Sequence, residues 1–111
     1  MISSIFVCHG GPTLVVEKNE YTDFLKDYGK KLNPKAIVIF TAHWESEETA
    51  ISSIDNVYDM IYDFSGFQKE LYSIKYPAKG SVEIAVKIKS MLMNSGIESK
   101  LDVKRGLDHG A

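Results

Sequence analysis

The chain is 111 residues long, 44% apolar and 25% charged, with a formal net charge of −2. That length suits one domain with a moderate core, and the near-even charge balance excludes the basic or acidic excess of a nucleic-acid binder or an anionic-membrane protein. Cys8 is the only cysteine, so an intrachain disulfide is impossible, and no apolar stretch reaches the ~20 residues of a membrane helix.

The N-terminal "MISSIFVCHG" lacks the charged start and long apolar centre of a signal peptide, so a cytoplasmic setting is expected. Within it "SSIFVCH", residues 3–9, reads as a short buried strand ended by Gly10, Gly11 and Pro12, with Cys8 pointing into the core. Tyr21, Phe24, Leu25, Tyr28 and Leu32 then follow the spacing of an amphipathic helix, with Asn19 as its N-cap and Pro34 as its stop. "KAIVIFTAHW", residues 35–44, is almost continuously apolar and β-branched, as a strand covered on both faces should be. "ETAISSI", residues 48–54, predicts a weaker third strand. Residues 58–80 are aromatic and lack a clean period, which predicts a long loop with a short helix near 68–72.

Ser81 caps a second helix whose stripe is Val82, Ala85, Val86, Ile88, Met91 and Leu92, ended by Asn94, Ser95 and Gly96. "SKLDV", residues 99–103, starts a further strand. The order of elements predicts a layered α/β sandwich: a central, mostly parallel or mixed sheet flanked by helices.

The three histidines, His9, His43 and His109, each follow an apolar run. Ligands of open α/β sheets bind beyond the carboxyl ends of strands, and parallel strands would bring His9 and His43 to one edge. Neutral imidazole ligates Fe, Zn, Cu and Ni, so the pair plus one more protein group would make a site with open positions. The plainer alternative is three structural histidines; neither HExxH nor CxxC is present, and the Gly10-Gly11-Pro12 run is no phosphate loop.

"FVCHGGPTL", "IVIFTAHWES", "IYDFSGFQKELYSIKYPAKGS" and "RGLDHGA" occur in that order. On those motifs the chain resembles the class III extradiol ring-cleavage dioxygenases, nearest the 4,5-DOPA dioxygenase type, from about residue 5 to the last residue. The resemblance implies that His9 and His43 are metal ligands and that His109 is a catalytic acid–base or hydrogen-bonding group outside the ligand set. It implies a non-haem metal, Fe(II) first and Zn(II) second, with a catechol-type substrate and O2 as partners. The reaction would cleave the ring beside the two hydroxyls and place both oxygen atoms in the product.

Family members run to roughly twice this length, and their further metal-binding residues match no position here. Residues 1–111 are therefore expected to be one incomplete domain, the N-terminal half of a dioxygenase, inactive alone and completed by a C-terminal chain or by self-association. Competing readings are a non-enzymatic metal- or phenol-binding remnant, and a zinc protein without redox activity.

Overall fold

Helix α1 (Glu20–Lys30) begins where its capping chemistry begins. In the computed structural model, which describes residues 4–111, Asn19 Oδ1 accepts the Thr22 amide and Thr22 Oγ1 accepts the Asn19 amide, both at 3.0 Å. Two amides that have no partner within the helix are thereby satisfied at once. Glu20 and Asp23 sit in the first turn and Lys30 in the last, as the helix dipole favours. The Tyr21 hydroxyl donates to the Cys8 carbonyl at 2.6 Å, fastening α1 to the segment that carries His9.

The second half contains a strand–helix–strand unit. Strand β1 (Thr49–Ser52) pairs in parallel with β2 (Ser99–Asp102), with Ile51 opposite Leu101. Parallel strands need a long crossover, and helix α2 (Val82–Asn94) lies in it, packed against both strands. Ser81 Oγ accepts the Ile84 amide at 3.3 Å to start α2. The helix stops in a Schellman arrangement: Gly96 takes φ +77°, its amide reaches Met93, and the Ile97 amide reaches Leu92. A one-turn 3₁₀ helix, Lys69–Ser73, appears where a short helix was expected near 68–72, and it buries Leu71.

Four expectations are corrected. Residues 4–9 and 35–44 form no strand; the expected α/β arrangement is present in the described residues as a two-stranded parallel sheet packed by α2. An all-apolar run becomes a strand when it has a ladder partner and cover on both faces, and these segments have neither; Phe6 and Phe40 are 102% and 89% exposed. Residue 3 lies outside the described residues. Cys8 is exposed rather than in the core, because the strand alternation that would turn it inward is not formed. Along α2 the covered face runs through Ile84, Ala85 and Ile88, while Val82, Val86 and Met91 face outward. The apolar residues on α2 exceed what the small β1–β2 layer can cover.

Two isolated bridges complete the frame. Val57 pairs antiparallel with Lys79, and Met60 pairs in parallel with Leu107. The second rests on two hydrogen bonds, Leu107 N–H to the Asp59 carbonyl at 2.8 Å and Ile61 N–H to the Leu107 carbonyl at 2.6 Å. Gly106 makes this approach possible: a Cβ there would collide with the Asp59 carbonyl. Among the described residues no helix is long and apolar enough to cross a membrane.

Candidate metal centre

The Met60–Leu107 bridge sets the register of everything beyond it. Two residues past Leu107 lies His109, and three past Met60 lies Asp63; continued side by side, the two segments bring them together. Asp63 Oδ1 accepts the His109 amide at 3.0 Å and meets His109 Nδ1 at 2.6 Å. Its other oxygen, Oδ2, meets His43 Nδ1 at 2.9 Å. One carboxylate thus touches histidines that are 66 positions apart in the chain.

His43 is held from a second side. Asp108, with its side chain only 1% exposed, accepts from Thr41 Oγ1 at 2.9 Å, from Arg105 Nη2 at 3.0 Å and from the Gly110 amide at 3.1 Å. A buried carboxylate with this many donors is satisfied rather than stranded. Arg105 also reaches the His43 carbonyl at 3.4 Å and lies over the Trp44 ring at 5.4 Å. The Thr41–Trp44 turn and the 105–110 segment are therefore bound as one piece. Gly110 lies flat against His43; a Cβ at that position would come within 2.7 Å of His43 Cδ2.

The outcome is a cluster of three imidazoles. Ring centroids of His9 and His43 are 5.0 Å apart, those of His43 and His109 4.0 Å, and those of His9 and His109 5.5 Å, each pair edge-on. One nitrogen from each ring lies within 4.8 Å of the other two. Nitrogens sharing one ion at ~2.0–2.1 Å stand roughly 3.0–3.4 Å apart, so a set held within 4.8 Å would draw in on binding an ion. Three neutral nitrogen donors suit a divalent transition metal, and the group can hold one.

The structure brings all three expected histidines together, although the strands expected to deliver two of them do not form. His109 falls within the same group as His9 and His43, its ring nearest that of His43. Burial works against ionisation of the Asp63 carboxyl, yet the His109 amide and ring outweigh it and hold Asp63 well below the usual carboxylate range. Phe64 stands edge-on to His109 at 5.6 Å and packs with Tyr72 and Phe67 at 4.8 and 5.7 Å.

Sequence reasoning missed Asp63, Asp108, Thr41 and Arg105. Asp63 lies in the aperiodic aromatic loop, where an acid flanked by Tyr62 and Phe64 was the one available signal. Asp108 was visible only as a neighbour of His109.

Residues 5–111 match the family model described as the catalytic LigB subunit of aromatic ring-opening dioxygenase. The chain is 41% identical to the 4,5-DOPA dioxygenase extradiol of Beta vulgaris, over 97% of this chain and 42% of that relative. It is 33% identical to the enzyme of the same name from Mirabilis jalapa, over 100% of this chain and 43% of the relative. For that from Escherichia coli (strain K12) the identity is 36%, over 97% and 40%. The chain thus spans about two-fifths of the length of these curated relatives. With all three clustered histidines inside the matched residues, the chain belongs to the family of the catalytic LigB subunit of aromatic ring-opening dioxygenases.

Proposed function

We propose that residues 1–111 form the N-terminal part of a non-haem iron extradiol dioxygenase acting on a catechol-type substrate in the cytoplasm. The observation that carries this is the meeting of His9, His43 and His109 in one cluster, in a chain of the LigB family. Names of the relatives at 33–41% identity point to DOPA-like catechols as the substrate class.

His9 and His43 would hold the metal through ring nitrogens, as neutral donors that leave the ion its positive charge. When bound, ferrous iron would supply affinity for a catecholate and dioxygen together with the redox chemistry that dioxygen requires. His109 takes a proton from a substrate hydroxyl at a ring nitrogen, a task suited to an imidazole near neutral pH. Phe64, packed against His109 and backed by Tyr72, offers an apolar wall for the substrate ring. A third protein ligand and the far wall of the pocket come from polypeptide beyond these 111 residues, on the same chain or a complementing one.

Fe(II), catechol or DOPA and oxygen, supplied to the chain with a complementing C-terminal segment, should yield a yellow ring-opened product with matching oxygen uptake. His9→Ala and His43→Ala should abolish both. Uptake that survives both substitutions would overturn the assignment.

The three-imidazole set favours one second reading. Three histidines also make a catalytic zinc site, and zinc has no redox chemistry, so a zinc-loaded chain would bind phenols without consuming oxygen. Metal analysis of the purified protein beside oxygen uptake separates the two.

A further inference from the structure

We infer that Asp63 is a positioning residue that locks His43 and His109 together in the Nδ1–H tautomer, leaving Nε2 of each ring as a free lone pair. The two oxygens of Asp63 are divided between the rings: Oδ2 meets His43 Nδ1 at 2.9 Å and Oδ1 meets His109 Nδ1 at 2.6 Å. A carboxylate only accepts hydrogen bonds, so each Nδ1 must carry its hydrogen. A neutral imidazole has a single N–H, and Nε2 is therefore unprotonated on both rings. The assignment is that of the neutral rings; an imidazolium carries a hydrogen on both nitrogens and would make the same contacts, so the tautomers are read at a pH well above the ordinary imidazole range.

The lock is built into the fold. Oδ1 also accepts the His109 amide at 3.0 Å, and the Met60–Leu107 bridge sets the register that presents Asp63 to both rings. One side chain therefore decides the tautomer of two histidines from different parts of the chain. Ligating histidines commonly give their second N–H to a carboxylate, which fixes the ring and raises its basicity. Resting on the dioxygenase reading, the free Nε2 is on His43 the atom that grips the metal, and on His109 the atom that receives the substrate proton.

Long-range ¹H–¹⁵N spectra of the metal-free full chain at pH 8 test the lock directly. His43 and His109 should both appear as Nδ1–H, against the ordinary, mainly Nε2–H mixture of a free histidine. In Asp63→Ala both should revert towards that mixture. Asp63→Asn, with a single acceptor oxygen, should preserve at most one of the two. Amide signals of α2 and β2 establish that each variant keeps its fold. Zn(II) titration should show a 10- to 100-fold loss of affinity in Asp63→Ala.

Nε2–H or imidazolium signals for either ring in the unsubstituted chain would overturn the inference, with no variant needed. So would unchanged tautomers in a folded Asp63→Ala. A chain that shows both Nδ1–H signals yet binds no metal even with a complementing C-terminal segment present would instead sink the dioxygenase reading and leave the lock standing.

Discussion

Residues 4–44 and residues 49–110 are equally rich in structural signals, yet only the second stretch turns them into a hydrogen-bonded frame. In the second stretch β1 and β2 pair, α2 covers them, and bridges at Val57–Lys79 and Met60–Leu107 pin the aromatic loop. In the first, α1 is well capped, but the two apolar segments carrying His9 and His43 lie open. Pairing partners within reach, rather than strength of local pattern, decide which runs become strands. The site straddles the two regions: His109 and Asp63 come from the framed part, His43 is clamped onto it through Asp108, and His9 is held through α1.

The contrast is most easily broken at the exposed apolar runs. Ile37, Val38, Ile39 and Phe40, with Ile5, Phe6 and Val7, leave an apolar surface that water does not favour. The 111-residue chain should self-associate at high concentration, and Phe6→Ser with Phe40→Ser should return it to a monomer in light scattering. A dispersed monomer without those substitutions would show that this surface needs no cover.

Asp108→Ala cuts the tie between the regions. It takes from Arg105 its carboxylate partner and removes the acceptor of Thr41 and Gly110, and should cost about 3 kcal/mol in urea unfolding. Gly106→Ala strikes inside the framed region, forcing a Cβ against the Asp59 carbonyl. It should cost about 2 kcal/mol and separate Asp63 from His109.

Both helix boundaries and the paired strands were legible in sequence because their signals are local. Asn19, Ser81 and Gly96 each mark a helix end through their own chemistry, and the β1 and β2 segments fell within a few residues of their expected spans. The three histidines were visible as residues ending apolar runs. Asp63, Asp108 and Arg105 were not, because their roles arise from contacts across 46 to 67 positions of chain or from a register set by one bridge. The apolar runs misled for the converse reason: their pattern describes the surroundings they suit, and those surroundings are absent among the described residues.

Smaller effects sharpen the comparison. Asn19→Ala removes one half of the reciprocal cap and should cost about 1 kcal/mol, lowering α1 helicity without disturbing β1–β2 amide signals. Asp102 lies at the end of β2, and the Lys104 and Arg105 amides hold its carboxyl below the usual range. A carboxyl depressed in the folded state adds stability that is present above its unfolded pKa, ~3.9, and is lost as pH falls through the folded value. Asp102→Asn should therefore flatten the acid limb of the stability curve below about pH 4, with α1 unaffected.

The most direct measurement is anaerobic Fe(II) titration of the full chain, followed by X-ray absorption at the iron edge. One equivalent should bind with imidazole scattering at ~2.0–2.1 Å, and the combined His9→Ala, His43→Ala variant should lose it. Iron bound with the same affinity and the same imidazole signal in that variant would contradict a metal centre built on these histidines.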